Sequence, residues 1–502
     1  MLDKKRNVDI LIIAEGTYPY VRGGVSSWID QIINGMPQYS FGILFLGSKK
    51  NDYEKKNYKF AKNVHFFDEY FLFDDIKADE PKAIEIKRED FEKLKEFHKK
   101  IKNKVSFDFK TMFNARFFEK EITINDFLYS RQSWEFIKEN YNKNCGEISF
   151  IDYFWTLRSI HKPIWLLAKI ASMSNMAKVV HSPSTGYAGF TAALISSFHN
   201  IPFILTEHGI YIRERKMDMH ANSGFMLYKS SLQKSIGSCN YLKKMWIDFF
   251  EKIGFLTYQS ADDILSLYNG AKELQIEFGA NRNRCRVIPN GVDTKKLNKL
   301  VEKRVNKNHK VITLLGRVVS IKDIKTFIRS IRIVADKFPD IQGWIAGPLD
   351  EDVVYANECR RMVETLNLEK NIKFLGFQKI DDILPKTDIL TLTSISEGMP
   401  LVILEGFAAG VPCVSTDVGS CSELIYGGLN QEDINIGKAG EIVPVANPSK
   451  LAQAYMKLLD DEELWRLYRQ NALKRVNRFY TQQIFFDKYI EVYEKALSRW
   501  RG

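Results

Sequence analysis

Residues 311–346 read VITLLGRVVSIKDIKTFIRSIRIVADKFPDIQGWIA, and this stretch decides the fold class. Val311–Leu315 is a short apolar run that stops at Gly316. Ile324–Phe338 repeats its apolar residues with the period of a helix and is ended by Pro339, which cannot continue one. Ile341–Ala346 is apolar again and stops at Gly347-Pro348. A strand, a helix and a strand in that order build a parallel sheet. The rhythm continues in strands Ile372–Leu375 and Ile389–Thr393, helix Leu401–Ala409 and strand Pro412–Ser415. This predicts a doubly wound α/β domain, in which ligands gather beyond the carboxyl ends of the strands.

The first half has the same alternation. Its strands are Val8–Ala14, Phe41–Leu46, Lys178–His181, Pro202–Thr206 and Asp263–Leu267, with helices such as Val25–Gly35 and Tyr187–Phe198 between them. Residues from about 48 to 160 break the rhythm. They are rich in Lys, Glu, Phe and Tyr, show no β-type spacing, and carry helical patterns at Glu89–Lys104 and Arg131–Tyr141. They read as an ordered, mostly helical insert, because aromatics are too frequent for a disordered linker. Asn290-Gly291 is turn-prone and marks the hinge between a first domain (1–290) and a second (291–475). After about Ala472 the pattern becomes one or two long helices ending near Trp500, with residues 476–502 expected to pack back on the first domain.

Composition narrows the class. The 502 residues are 45% hydrophobic and 27% charged, as in folded soluble proteins. No segment of about 18 uncharged apolar residues is present to span a membrane. The N-terminal apolar run is bracketed by Asp9 and Glu15, so it reads as a buried strand and not a signal peptide. Six scattered cysteines form no C-x-x-C pair, which indicates neither a zinc site nor a disulfide framework and fits the cytoplasm. Much of the net charge of +11 lies in Lys49–Lys62 and Lys82–Lys104. These stretches are either a solvated helical surface or a face turned to anionic lipid or an acidic partner. No nucleic-acid motif accompanies them.

The residues that can do chemistry fit a nucleotide sugar. Gly316-Arg317-x4-Lys322-Asp323 lies between a strand end and a helix start, and two cations there suit a diphosphate. Gly23-Gly24 precedes a helix, where free N–H groups favour an anion. Glu397-Gly398-Met399-Pro400-Leu401-Val402-Ile403-Leu404-Glu405 opens the next helix. Pro400 suits its first turn. Glu405 then stands among apolar residues, where a carboxylate is costly unless hydrogen-bonded, and a ribose diol would supply two donors. Gly398 allows close backbone approach. His208, in Thr206-Glu207-His208-Gly209, follows a strand and is placed to face a cleft. Glu15-Gly16 occupies a similar place after the first strand. Asp350-Glu351-Asp352 is the only D-x-D, and it reads as a helix cap and not as a metal site.

Together, Gly316-Arg317-x4-Lys322 and Glu397-x7-Glu405 resemble the donor site of the family 4 retaining glycosyltransferases, over about 180 residues of the second half. In the first half, Glu15-Gly-Thr-Tyr-Pro-Tyr-Val-Arg-Gly-Gly-Val-Ser-Ser-Trp28 and Thr206-Glu-His-Gly-Ile-Tyr211 resemble a narrower group, the PelF glycosyltransferases of Pel exopolysaccharide synthesis. The resemblance implies the GT-B fold, two Rossmann-like doubly wound domains facing a cleft, and a donor such as UDP-glucose used without a metal or other cofactor. By position, Arg317 and Lys322 would stabilise the leaving diphosphate, Glu405 would hold the ribose and Glu397 the donor sugar. Backbone N–H groups of Gly398, Met399 and Leu401, in the segment that also holds Pro400, would help bind sugar and phosphate, Asn290 would join the donor set, and Phe377 would lie by the base. Gly23 and Gly24 would meet the phosphate from the first domain, with His208 near the transferred sugar. Gly406 stands where the wider family usually has Ala, and little consequence is expected of it. The implied partners are a saccharide or polysaccharide acceptor and a synthase complex at the inner face of the membrane.

Rival readings are a transferase acting on a lipid-linked or teichoic-type acceptor, and an inactive scaffold of the same fold. A nicotinamide oxidoreductase is demoted because the first strand turn is not G-x-G-x-x-G.

Overall fold

The computed structural model describes residues 7–74, 88–102, 123–144, 148–173, 176–221, 236–303 and 310–500. The chain divides into two compact units, Met1–Leu265 with Leu274–Arg286 and Ile490–Gly502, and Ser266–Glu273 with Val287–Tyr489.

The first unit is built on strands β1 (Val8–Glu15), β2 (Phe41–Gly47), β3 (Val64–Phe71), β4 (Ala177–Ser182), β5 (Phe203–Glu207), β6 (Asp263–Ser266) and β7 (Cys285–Val287). Their order is β3-β2-β1-β4-β5-β6-β7, with β1 parallel to both β2 and β4. The chain therefore reverses its direction of growth at β1/β4, the crevice where doubly wound sheets hold ligands. Strand β1 is buried on both faces, so its near-continuous apolar run is what a central parallel strand requires. Helix Tyr187–His199 lies over it, buried at every position from Tyr187 to Ile195.

Two of these strands, β3 and the three-residue β7, were not expected. The stretch around β3 reads as part of the helical insert, yet Val64–Phe71 pairs in parallel with β2. Among the described residues the helices of the insert are Arg88–Lys102, Ile124–Tyr129, Arg131–Asn144 and Phe150–Met173. The basic stretch Lys49–Lys62 is not helical beyond one 3-10 turn at Lys50–Asp52. It runs along the sheet edge, with Lys56 Nζ 3.9 Å from the Phe67 ring centre. Parts of the second basic stretch, 82–87 and 103–104, and Cys145 lie outside the described residues. Cys285, Cys359, Cys413 and Cys421 are buried free thiols.

The last helix, Gln482–Arg499, ends in this first unit. Tyr493 Oη lies 2.9 Å from His181 Nδ1. The buried Asp263 carboxylate collects Lys495 at 3.4 Å, Arg499 at 3.0 Å and Arg286 at 2.5 Å. One acid among three cations fixes the end of the chain to the start of β6.

The second unit has strands β8 (Val311–Leu315), β9 (Gln342–Ala346), β10 (Ile372–Gly376), β11 (Ile389–Leu392), β12 (Cys413–Thr416) and β13 (Gly440–Val443). Their order, β10-β9-β8-β11-β12-β13, is parallel throughout and reverses at β8/β11. Helix Ile324–Lys337 buries Ile324, Phe327, Ile328, Ile331, Val334 and Ala335, the stripe its sequence period announced. Asp323, in the left-handed region at φ 43°, caps it by accepting from Thr326 N. Gly347 must be glycine, since a Cβ there would stand 1.8 Å from Gly316 O. Asn290-Gly291 belongs to this unit. Among the described residues no helix is long and apolar enough to cross a membrane.

Candidate functional site

In the second unit, the loops after β8 and β11 leave the sheet at its point of reversal and are stitched together. Thr393 Oγ1 donates to Lys322 O at 2.7 Å, and Ile395 N donates to Ile321 O at 2.9 Å. This brings Lys322 to Glu397, and the two side chains form an ion pair. Ser394 Oγ donates to the same carboxylate oxygen at 2.5 Å. Both partners are sheltered, with side chains 22% and 13% exposed. Arg317 behaves differently. It pairs with Glu351, and both side chains are about half exposed. An exposed pair contributes about 0–1 kcal/mol, so a phosphate can displace Glu351 at little cost. The two cations expected at the diphosphate are thus each held by an acid in the free chain. Asp352 caps helix Val353–Thr365 by accepting from Tyr355 N at 3.0 Å.

The loop from Glu397 to Leu401 packs against a segment that sequence reading missed. Ser420 N donates to Gly398 O at 2.9 Å, and Gly419, at φ +55°, lies so close that a Cβ would come 2.3 Å from the Glu397 and Gly398 carbonyl oxygens. A signal was present, because Gly419 lies in the loop after strand β12, as Gly316 lies after β8. Met399 is buried, and its Sδ accepts from the backbone N of the buried Asn290 at 3.3 Å. Pro400 sits one position earlier than expected, at the N-cap of helix Leu401–Ala408.

Glu405 lies in that helix and is mostly buried, with Ile403, Leu404, Phe407 and Ala408 around it. Burial pushes its carboxyl up to about 7, and the Lys296 charge offsets this only in part. Lys296 itself pairs with Asp381 at 3.0 Å. Among the described residues no side chain or backbone group donates a hydrogen bond to the Glu405 carboxylate. At Gly406, beside it, a Cβ would stand 2.7 Å from Leu390 Cδ2, the tip of a side chain in β11. An alanine there would need Leu390 to move. Phe377 follows Gly376 (φ +65°) and is 76% exposed, so its ring face is open to a planar ligand.

In the first unit, Glu15 ends β1 and caps helix Tyr187–His199. Its Oε2 accepts from Ala188 N and its Oε1 from Tyr211 Oη, each at 2.9 Å. Glu207 ends β5, is 1% exposed, and accepts from Thr185 Oγ1, Tyr258 Oη, Gln275 Nε2 and Tyr211 N. Burial outweighs these donors and lifts its carboxyl to about 7. His208 follows, with its ring 4.8 Å from Trp28. Burial holds His208 down at about 3, so it is a neutral imidazole at working pH, and its Nε2 has no hydrogen-bond partner. His181, similarly depressed by burial and by His208, is occupied by Thr206 and Tyr493.

Gly23 and Gly24 open helix Gly24–Gly35, which begins one residue earlier than expected. A Cβ on either would meet nothing within 4 Å, so packing within the chain does not demand glycine there. A cavity of about 600 Å³ lies at the carboxyl ends of this sheet, with Glu15, Tyr187, His208 and Tyr211 in its wall. Among the described residues no group of three or more His, Cys, Asp or Glu is arranged to hold a metal ion.

Residues 8–283 match the family described as Domain of unknown function (DUF3492), and residues 296–475 match Glycosyl transferases group 1. The UDP-Gal:alpha-D-GlcNAc-diphosphoundecaprenol alpha-1,3-galactosyltransferase of Escherichia coli is 26% identical over 350 residues, 67% of this chain and 78% of that protein. Alpha-maltose-1-phosphate synthase of Mycolicibacterium smegmatis is 23% identical over 365 residues, 68% of this chain and 86% of that protein. Among solved structures, Anabaena Alr3699/HepE in complex with UDP superposes with a TM-score of 0.58 at 14% identity, covering 97% of this chain and all of that one. Sucrose-phosphate synthase from Thermosynechococcus elongatus gives 0.57 at 14% identity, covering 98% of this chain and 99% of that one. The two parallel Rossmann-like sheets are those of the GT-B fold. The chain belongs to the DUF3492 family, and residues 296–475 of its second half match the group 1 glycosyl transferases.

Proposed function

We propose that this member of the DUF3492 family transfers a hexose, glucose from UDP-glucose, to a growing exopolysaccharide with retention of anomeric configuration. It would do so in the cytoplasm, at the inner face of the membrane.

The observation that carries the donor reading is Glu405. A carboxylate mostly buried in an apolar helix, with no donor of its own, is expensive to ionise. A ribose diol supplies the two donors it lacks. Phe377 offers its exposed ring to the base. Arg317 exchanges Glu351 for the diphosphate, and Lys322 stands ready beside it. Glu397, already held by Lys322 and Ser394, keeps a second carboxylate oxygen for the hydroxyls of the sugar. Glucose is named first because the Anabaena structures hold UDP and UDP-glucose.

In the step itself, the bond from the anomeric carbon to the phosphate oxygen breaks and its electron pair goes to UDP. The acceptor oxygen bonds to the same face of that carbon, and its proton passes to the departing phosphate. Negative charge grows on the diphosphate, where the cations Arg317 and Lys322 offset it, and charge placed at that point lowers the barrier. No carboxylate nucleophile is invoked, and the two cations take the part a metal ion would play.

A second reading takes a lipid-linked acceptor, because the E. coli relative is named for GlcNAc-diphosphoundecaprenol. A screen of sugar nucleotides for thermal stabilisation tests the donor. UDP-glucose at a hundred times its dissociation constant should add about 2.7 kcal/mol of apparent stability. Product analysis then fixes the acceptor and the anomeric outcome. The Arg317→Ala/Lys322→Ala variant should lose turnover by about two to three orders of magnitude. Normal turnover would remove their role, and absence of UDP release with every sugar nucleotide would leave the scaffold reading.

A further inference from the structure

Glu397 is held by two groups on one oxygen. Its Oε1 takes the Lys322 ammonium and the Ser394 hydroxyl, the latter at 2.5 Å, and among the described residues no group donates to Oε2. The two holders face different demands. Lys322 carries a point charge on a flexible stem, and a diphosphate bound beside it would draw that charge away from a single carboxylate. Ser394 has no second claim on it. Its hydroxyl has one proton to give, and Glu397 accepts it. Ser394 is 1% exposed while the Glu397 side chain is 13% exposed, so of the two only the carboxylate can reach a ligand.

Both ends of the Ser394–Glu397 bond are fixed by the fold. Thr416 Oγ1, at the end of β12, donates to Ser394 O at 2.7 Å. On either side of Ser394, Thr393 Oγ1 and Ile395 N are tied to the loop after β8, at Lys322 O and Ile321 O. The backbone of Glu397 is pressed by Gly419, where a Cβ would come 2.3 Å from Glu397 O. Two side chains on clamped backbones have little freedom left to lose when they bond, so this contact can hold after Lys322 has turned to the phosphates.

We propose that Ser394 is a positioning residue for recognition of the donor sugar. It keeps Glu397 oriented, with Oε2 free for the hexose hydroxyls, while Lys322 serves the diphosphate. This role rests on the reading of Glu397 as the partner of the donor sugar. It makes the contact with the sugar depend on a buried hydroxyl three residues upstream that never touches it.

Calorimetric titration of the full chain with UDP and with UDP-glucose tests this, and no acceptor is needed. Ser394→Ala should bind UDP within about twofold of the parent and UDP-glucose about three- to tenfold more weakly, the worth of one hydrogen bond. Ser394→Thr keeps the hydroxyl and should keep the parent's Kd for UDP-glucose, which separates loss of the bond from loss of packing. In a Glu397→Ala background, Ser394→Ala should weaken UDP-glucose no further, since it acts only through that carboxylate. Unchanged UDP-glucose binding in Ser394→Ala, equal weakening of UDP and UDP-glucose, equal losses in the Ala and Thr variants, or a further loss beyond Glu397→Ala overturns the role. A parent chain that binds neither nucleotide, or a Glu397→Ala variant that binds UDP-glucose normally, sinks the donor reading itself, so the two failures are distinct.

Discussion

Glu207 in the first unit and Glu405 in the second stand in similar trouble and are treated differently. Burial lifts both carboxyls to about 7. Glu207 is met by four donors from Thr185, Tyr258, Gln275 and Tyr211, so its oxygens are spoken for within the fold. Glu405 has only the partial help of a lysine already paired with Asp381. The first is a structural anchor tying a strand end to three other elements. The second is an incomplete arrangement, and the missing donors have the chemistry of a ligand. Two buried acids with similar shifts are therefore not two active-site acids, and the donor inventory separates them.

The sharpest way to break this comparison is to remove the anchor. Glu207→Ala leaves several buried donors unsatisfied and should destabilise the first unit by about 3–5 kcal/mol, read by chemical denaturation. A loss below about 1 kcal/mol would mean that Glu207 is not the anchor described.

A smaller effect of opposite sign is expected at Glu405. An acid whose folded pKa is raised holds its proton more tightly when folded. It contributes stability below an ordinary carboxylate pKa of 4.5 and loses it as pH rises through about 7. Glu405→Gln removes the ionisation, so at pH 8 it should stabilise the free chain by roughly 1–2 kcal/mol, and at pH 5 it should change little. A variant that melts like the parent at both pH values would show the carboxylate to be satisfied already. The least effect is assigned to Phe377. Phe377→Ala should leave stability within about 0.5 kcal/mol and weaken UDP about fivefold, the scale of one base–aromatic contact.

Of this contrast the sequence showed only the Glu405 side, because the side-chain donors of Glu207 lie 22, 51 and 68 residues away. Strands β8 to β12 are short apolar runs cut by Gly or Pro, and a buried parallel strand leaves little else to read. Glu405 stood out because its helix has no polar side. Strand β3 was missed because its sequence VHFFDEYF is only half buried and mixes aromatics with charge inside a Lys- and Tyr-rich stretch. Strand β13, GEIV, was missed because it is only half buried and carries a charge, so it shows no apolar run. The ion pairs of Arg317 with Glu351 and of Lys322 with Glu397 span 34 and 75 residues, and no local pattern encodes a partner at that distance. The contact of Gly419 with the Glu397 loop was missed for the same cause, since the two become neighbours only when separate strand ends converge.

The central claim is that Glu405 waits for a nucleotide's ribose. Calorimetric titration of UDP into the parent chain and into Glu405→Ala at pH 8 tests it most directly. Two hydrogen bonds to an ionised carboxylate are lost, so the variant's Kd should rise about a hundredfold or more while its melting temperature holds or increases. Equal UDP affinity in the two proteins would contradict the account.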